Sequence, residues 1–278
     1  MRSSARSPWL GAAVTLLALG CAVGPDYHEP AQETPAAFGA TAAQYTSERV
    51  APAWWEQFGD PTLVGLIQDA IANNLDLRIA LANLNLARAI RTETVLTLAP
   101  IATASGGFEK QRVSRAQLRG ADTSKRDFTF WDLGFDALWE VDVWGRIRRE
   151  VEADTANVEL RQATLDDALV SVVAEVGRAY FELRGRQAEL EVARRNAENQ
   201  QQTYELTTTL FDEGRGTELD TASAQTQLEA TRALVPPLET SIQADIHRLG
   251  VLTGRLPTAL TSDLLTPAPI PAPPAEIA

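Results

Sequence analysis

The stretch that decides the fold is residues 146–211, RIRREVEADTANVELRQATLDDALVSVVAEVGRAYFELRGRQAELEVARRNAENQQQTYELTTTLF. Its only glycines are Gly177 and Gly185, and no proline occurs between Pro100 and Pro236. Because proline breaks a helix interior, this composition permits one continuous helix of about 65 residues, on the order of 95 Å long. Ordinary globular helices are several-fold shorter.

Apolar side chains recur along this helix every seven residues, a spacing that favours packing against a partner helix. A second stripe of the same period follows Gly214 and Gly216, so we expect the two helices to form an antiparallel hairpin. The pair Pro236-Pro237 is expected to kink the returning helix. The first stripe consists of Leu169, Val176, Leu183, Leu190, Ala197, Tyr204 and Phe211, and the second of Leu228, Val235, Ile242 and Leu249.

Two shorter helices are predicted before the long one. Asp60 is placed to cap the first, with Pro61 at the first helical position, and Pro100 ends the second. Apolar residues at helical spacing mark one face of each helix. They are Leu63, Leu66, Ile67, Ala70 and Ile71 in the first helix, and Leu77, Leu81, Leu84, Val95 and Leu98 in the second.

Between Pro100 and the long helix the period changes from that of a helix to that of a strand. Residues 128–143 alternate apolar and polar side chains, and a weaker strand covers roughly 101–111, so the sequence predicts a long β-hairpin. The alternation places Trp131, Leu133, Phe135, Ala137, Trp139, Val141 and Val143 on one side and Asp132, Gly134, Asp136, Leu138, Glu140 and Asp142 on the other.

The amino terminus is typical of a secretory signal peptide. Arg2 and Arg6 precede an apolar run from Trp9 to Leu19, which is too short to span a membrane. The string LALGC at residues 17–21 resembles a bacterial lipobox, in which Cys21 is acylated after cleavage of the leader. The alternative is a free, buried thiol at Cys21. Residues 21–53 then predict an extended tether, and the six prolines within 257–274 predict an extended linker.

Composition argues against several classes of function. A net charge of −12 and a pI near 4.7 are unfavourable for binding nucleic acid, which needs clustered Lys and Arg. The two histidines, His28 and His247, belong to no recognisable nucleophile or metal-ligand spacing, and His247 is expected to be a packing or surface residue. No phosphate-binding or dinucleotide glycine motif is present. We therefore expect no catalytic residues, no metal site and no cofactor.

Six strings in this order resemble the outer membrane efflux protein family of TolC-like ducts, in particular its lipoprotein branch. The resemblance covers essentially the whole chain. It implies a mainly α protein with a β-hairpin: long antiparallel coiled-coil helices form part of a periplasmic α-barrel, and two strands join a transmembrane β-barrel. The strings are CAVGPDY (21–27), WWEQFGDPTL (54–63), NNLDLRIALANLNLARA (73–89), LWEVDVWGRIRREVEA (138–153), FDEGRGTELD (211–220) and LGVLTGRLP (249–257).

The resemblance also implies where functional residues lie. The apolar side of the hairpin, with Trp131, Phe135 and Trp139, would face lipid, and the acids Asp132, Asp136, Glu140 and Asp142 would line the lumen. A soluble sheet with a solvated acidic face is the alternative. The turn Asp212, Glu213, Gly214, Arg215, Gly216 and Thr217 would contact a periplasmic adaptor, although any helical hairpin needs such a turn.

The family's partners are outer-membrane lipid, a periplasmic adaptor and an inner-membrane transporter that supplies the energy, and its members are trimers of two-repeat chains. Here one repeat is present, so we expect an incomplete, half-length copy or a missing half supplied by another chain. A periplasmic adaptor and a purely structural coiled-coil lipoprotein remain alternatives. The predicted segments are a signal peptide (1–20), a lipidated tether (21–53), N-terminal helices (54–100), a transmembrane hairpin (101–143), a periplasmic helical hairpin (144–256) and an inter-repeat linker (257–278).

Overall fold

The computed structural model of the chain describes residues 23–25, 28, 30, 53–114, 116 and 126–273. A short 3-10 helix, Trp54–Phe58, precedes the first α-helix. The helices and strands are then α1 (Pro61–Asn73), α2 (Leu75–Leu96), β1 (Ile101–Arg112), β2 (Asp127–Leu138), α3 (Arg146–Asp212), α4 (Glu218–Arg232) and α5 (Val235–Leu252). A 3-10 turn, Pro257–Leu260, leads into the four-residue helix α6 (Thr261–Leu264).

Helix α3 is a single continuous helix of 67 residues, as the sequence predicts. The heptad stripe is buried at its centre, where Val176 and Leu183 are fully covered, and becomes exposed toward its ends at Leu169 and Phe211. In the returning stripe Leu228, Ile242 and Leu249 are buried and Val235 is half-buried. The mainly α fold with one β-hairpin is therefore confirmed.

The second arm of the helical hairpin is interrupted before Pro236 and Pro237 and not at them. Helix α4 ends at Arg232 and α5 begins at Val235, so Pro236 and Pro237 both lie in the first turn of α5. The prediction of a kink at the prolines is corrected accordingly. The first turn of a helix has no internal acceptors for its N–H groups, which makes it the place where proline costs least.

Helix α1 begins where the sequence predicts. The Asp60 carboxylate accepts hydrogen bonds from the backbone N–H groups of Thr62 (2.8 Å) and Leu63 (3.1 Å). At the other end of α1, the Asn74 side chain caps α2 and also donates to the Leu252 carbonyl oxygen at 2.9 Å. Three of the residues predicted to mark the apolar faces are exposed in the structure: Ile71 (40%), Leu81 (47%) and Leu98 (39%).

One hydrophobic core joins α1, α3 and α5. Tyr180 lies within it, and its hydroxyl donates to the Asp60 carboxylate at 2.6 Å, which ties the cap of α1 to α3. Burial, together with this hydrogen bond, raises the pKa of Tyr180. Core side chains include Leu63, Leu66, Ile67 and Ala70 from α1, Val172, Val173, Val176, Ala179 and Leu183 from α3, and Ile242, Ile246, Leu249 and Leu252 from α5.

The predicted extended linker is only partly extended. Residues 257–264 form the 3-10 turn and α6, and Leu260 and Leu264 reach the core. The proline at 257 starts the 3-10 turn, where its fixed φ is compatible with helical geometry. Residues 265–273 have no regular secondary structure beyond a bend at their start. The buried Arg184 and Gln187 hold this region through the carbonyl oxygens of Thr266 (3.2 Å) and Leu264 (2.8 Å).

The β-hairpin pairs all twelve residues of β1 with all twelve of β2, from Ile101 opposite Leu138 to Arg112 opposite Asp127. Strand β2 therefore stops at Leu138, and the prediction of a strand as far as Val143 is wrong. The next seven residues, 139–145, are named here the foot segment, and they lead without regular structure into α3.

The described residues cluster in two units. One contains the described part of Met1–Pro30 with that of Asn83–Gln162, and so includes the β-hairpin and the foot segment. The other contains the described part of Ala31–Ala82 with that of Ala163–Ala278, and includes the hydrophobic core and the turn between α3 and α4. None of the helices in the described part of the chain has the length and apolar character required to span a membrane.

Candidate functional site

The two faces of the β-hairpin differ in chemistry over its middle seven residue pairs. Because side chains alternate along a strand, opposite partners in the register share a face. One face, named here the apolar face, carries Ala102, Ala104, Gly106, Phe108, Trp131, Leu133, Phe135 and Ala137. The other, named here the polar face, carries Thr103, Ser105, Gly107, Asp132, Gly134 and Asp136.

Among the residues that the structure describes, none covers the apolar face. Trp131, Leu133 and Phe135 are 77%, 79% and 83% exposed, which is unusual for adjacent large apolar side chains of a water-soluble protein. From residue 131 to 137 the strand rises by about 20 Å along its own axis, which at the strand tilt usual in transmembrane barrels spans about 15 Å of a lipid-facing band roughly 25 Å tall. The predicted lipid-facing residues Trp131 and Phe135 are thus both on one face and both exposed.

Toward the loop end of the hairpin the segregation of the two faces is lost. Lys110 follows Phe108 on the apolar face, and Arg112 pairs with Asp127 at 3.4 Å. On the opposite face Phe128 and Phe130 stack with ring centroids 6.3 Å apart. The sequence reasoning missed these two aromatic residues, although their even positions already place them on the side of Asp132. The apolar face therefore ends near Trp131.

Glu140 and Asp142 do not lie on the strand, so the alternation that predicted them to line the lumen no longer applies to them. The Glu140 carboxylate pairs with Arg146 at 2.9 Å, and this hydrogen bond lowers the pKa of Glu140. Asp142 accepts a hydrogen bond from the backbone N–H of Arg148 at 3.0 Å and caps α3. Gly145, with φ +81°, lets the chain turn so that this cap can form.

The foot segment is apolar and exposed despite these ion pairs. Trp139 is 56% exposed, and its indole N–H donates to the Leu98 carbonyl oxygen at 3.0 Å. Val141, Val143 and Trp144 are 58%, 51% and 72% exposed. Trp139 thus remains exposed as predicted for a lipid-facing aromatic residue, but on the foot segment and not on β2. Trp144 was not singled out from the sequence, because it follows the end of the alternating pattern.

The turn between α3 and α4 is a tightly bonded helix-to-helix connection. Gly214 has φ +73°, and the N–H groups of Gly214 and Arg215 donate to the carbonyl oxygens of Phe211 and Leu210, both at 2.8 Å. This is the Schellman arrangement that ends many helices. Thr217 then caps α4 through a reciprocal capping box with Asp220.

The predicted contact residues of this turn are brought together at its surface. Asp212, Glu213, Gly214, Arg215 and Thr217 are exposed, and Gly216 is half-buried. A Cβ at residue 216 would lie 3.2 Å from the Phe211 nitrogen, which favours glycine there. Arg215 pairs with Glu213 at 2.5 Å. The Thr217 hydroxyl and backbone N–H lower the pKa of Asp220. Cys21, the predicted acylation site, lies outside the described residues.

Comparison with known proteins agrees with this geometry. The family model named outer membrane efflux protein matches residues 66–255. Nodulation protein T of Rhizobium leguminosarum bv. trifolii is 28% identical over 246 residues, which cover 87% of this chain and 50% of that protein. The probable efflux pump outer membrane protein TtgC of Pseudomonas putida is 29% identical over 264 residues, which cover 93% of this chain and 54% of that protein.

Solved structures give the same result. The outer-membrane channel OprN is 38% identical and superposes with a TM-score of 0.78, over 93% of this chain and 57% of the OprN chain. The chain spans about half the length of the curated relatives it matches. From the fold, the long matching segment and these relatives, we conclude that the chain belongs to the outer membrane efflux protein family, whose members are outer-membrane proteins with a periplasmic helical portion.

Proposed function

We propose that the chain supplies one section of the wall of an outer-membrane exit duct, through which drugs or other small molecules leave the cell passively. The observation that carries this proposal is the β-hairpin, which has an uncovered apolar face and a polar face of small and acidic residues. In a transmembrane barrel such a hairpin faces lipid on one side and water on the other. The relatives named as efflux proteins support the same function.

The polar face would line the lumen of the duct. Between residue pairs 103–136 and 107–132 its acids are Asp132 and Asp136, and the remaining positions are Thr, Ser or Gly, which leave room for a water-filled passage. Two carboxylates from each chain would make the lumen favour cations mildly. Glu140 and Asp142 are not included, because both are engaged with the start of α3.

The exposed turn from Asp212 to Thr217 would contact a periplasmic adaptor, through which an inner-membrane transporter delivers substrate. Its two helix ends are fixed by the Schellman arrangement and the capping box, so the exposed side chains are presented by a preorganised backbone. The resemblance to the family further supports a trimeric assembly. Acylation of Cys21 would anchor the amino terminus in outer-membrane lipid.

Two measurements on the protein expressed in its host membrane test the proposal. We expect the chain to fractionate with the outer membrane and to resist extraction by salt and carbonate. A peripheral adaptor or a structural coiled-coil lipoprotein has no membrane-spanning hairpin, so release of the non-acylated Cys21→Ala variant by carbonate would overturn the duct assignment.

The turn is tested by in-cell cross-linking. Arg215→Cys, treated with a short bifunctional thiol–amine reagent, should form a covalent adduct with the adaptor. Gln225→Cys, an exposed position on α4, is the matched control and should give little adduct. An Arg215→Cys yield no higher than that of Gln225→Cys would contradict the adaptor contact while leaving the duct assignment in place.

A further inference from the structure

Residues 23–25 are docked on the start of α3. The Val23 backbone N–H donates to the carbonyl oxygen of Trp144 at 3.3 Å. The Arg149 guanidinium donates through Nη2 to the carbonyl oxygen of Gly24 at 3.0 Å. The same guanidinium donates through Nη1 to Glu152 at 2.6 Å, so one arginine joins the amino terminus to α3.

The local conformation of the segment fits this docking. Gly24 has φ +120°, a conformation that L side chains rarely adopt, and a Cβ there would lie 3.8 Å from the Arg149 Nε. Pro25 lines a cavity of about 540 Å³ together with Glu152, Ala153 and other residues of α3. Hydrogen bonds from a charged donor are among the stronger ones in proteins. The contact therefore depends on a specific glycine and a specific arginine.

We propose that Arg149 and the Trp144 carbonyl form an anchor clamp, which holds the acylated amino terminus beside the foot segment. The proposal rests on the acylation of Cys21 described under the proposed function. Cys21 precedes Val23 by two residues, and two residues of chain span at most about 7 Å. The acyl chains then enter the bilayer next to the base of the hairpin, instead of at the end of a free tether.

This position gives the exposed foot segment a partner of defined chemistry, the periplasmic leaflet of the outer membrane. Val143 and Trp144 are 51% and 72% exposed. Tryptophan is enriched at the boundary between lipid and water, where its ring is partly apolar and its N–H is hydrated. The clamp would bring the acyl chains and Trp144 to the same leaflet, and so fix the height of the hairpin in the membrane. Arg149 acts here as a positioning residue.

Disulfide trapping in outer membranes tests the clamp on the full chain. The variant Pro25→Cys/Ala153→Cys places two thiols at positions that line one cavity. The matched control is Pro25→Cys/Val158→Cys, because residue 158 lies on the opposite side of α3. The acylated Cys21 contributes no free thiol. We expect a disulfide to form in the first pair and not in the control pair, as measured by mass spectrometry of proteolytic peptides after thiol blocking.

Replacing Arg149 should release residues 23–25 from α3. In the Pro25→Cys/Ala153→Cys background, Arg149→Ala should lower the disulfide yield at limiting oxidant by about tenfold, the effect of losing a hydrogen bond to a charged group. Gly24→Ala should lower the yield as well, because alanine disfavours φ +120°. Arg161→Ala, an exposed arginine of the same helix, should leave the yield unchanged. Alanine favours helix, so none of the arginine replacements should disturb α3.

Metabolic labelling with a fatty acid tests the acylation of Cys21 independently of the clamp. An acylated protein whose 25–153 pair forms no more disulfide than its 25–158 pair would overturn the clamp and leave the lipid anchor intact. A protein that forms the 25–153 disulfide but carries no acyl chain would overturn the lipid anchor, and with it the positioning role of Arg149.

Discussion

The rings of Phe108 and Trp131 lie opposite each other on the two strands of the hairpin, with centroids 4.7 Å apart. Both are more than half exposed, at 58% and 77%. The next residue on the same face toward the loop is Lys110, so this pair is the last apolar one. A cross-strand aromatic pair at the edge of an exposed apolar band is typical of the boundary between hydrocarbon and headgroups.

If the apolar face meets lipid, a charge at its centre should impair insertion. Phe135→Arg is expected to destabilise the inserted protein by about 2–4 kcal/mol, the cost of arginine near the bilayer midplane. The adjacent Asp136→Arg, on the polar face, is the matched control and should insert normally. Urea unfolding in lipid vesicles, together with the yield of outer-membrane protein, measures the difference. Equal stability of the two variants would argue for a soluble hairpin.

If the polar face lines the lumen, the sign of its charge should affect conduction. Asp136→Lys replaces an acid by a base and should shift the selectivity of the assembled channel toward anions in planar bilayers, by the logic of charged rings in pores. Glu109→Lys, near the loop end of the same face, changes the charge equally and should have a smaller effect. A conducting Asp136→Lys channel with unchanged selectivity contradicts the lumen assignment.

Asp142 should stabilise the start of α3 in a pH-dependent way. Partial burial opposes ionisation, but hydrogen bonds from the backbone N–H groups of Arg148 and Ile147 outweigh it and lower the pKa of Asp142. A carboxylate whose folded pKa is depressed stabilises fully above its unfolded pKa of about 3.9 and loses this effect as the pH falls below that value.

We therefore expect Asp142→Asn to lower the thermal midpoint at pH 7 by about 1–3 °C, because the amide keeps a capping acceptor but loses the negative charge that favours a helix N-terminus. The difference should shrink as the pH falls through the lowered pKa of the native Asp142 carboxyl, because the charge that distinguishes the two variants is then lost. Circular dichroism at 222 nm on heating measures it. Asp167→Asn, an exposed aspartate within α3, should change little at either pH. A constant difference across the pH range would exclude the carboxylate as the cause.

Two glycines should respond oppositely to the same replacement. Gly254 has φ +69°, and a Cβ there would lie 2.4 Å from the Asn73 carbonyl oxygen, so Gly254→Ala should destabilise the chain by about 1–3 kcal/mol. Gly185 lies within α3 and a Cβ there would meet nothing within 4 Å, so Gly185→Ala should stabilise by about 0.5–1 kcal/mol. Chemical denaturation measures both. A neutral Gly254→Ala would contradict the close approach of α1 to the end of α5.

Helix α3 and the β-hairpin could be predicted from the sequence because the patterns that indicate them are local. The absence of proline between Pro100 and Pro236 permits a continuous α3, and the alternation around Trp131 has the period of a strand. The family strings then indicated what the hairpin and the turn at Gly214 do. The acids Asp132 and Asp136 share a face as the alternation predicted.

The end of β2 could not be predicted, because the alternation is broken only at Leu138 and resumes from Trp139 to Val143. Leu138 pairs with Ile101, the first residue of β1, so the following residues have no partner strand, and Asp142 caps α3 instead. The prediction that the proline-rich linker is extended throughout was wrong for a similar reason. Composition predicts an extended chain, but Leu260 and Leu264 find space in a core built by distant residues. Both errors come from contacts with other parts of the chain that override a local pattern.

Cysteine scanning of β2 in intact outer membranes tests the central claim most directly. Each residue from 131 to 137 is replaced singly by cysteine and treated with a membrane-impermeant maleimide. We predict that positions 132, 134 and 136 react through the water-filled lumen, and that positions 131, 133, 135 and 137 are protected by lipid. Equal reaction at all seven positions would mean that water surrounds the hairpin on both faces, and the chain would then form no part of a membrane channel.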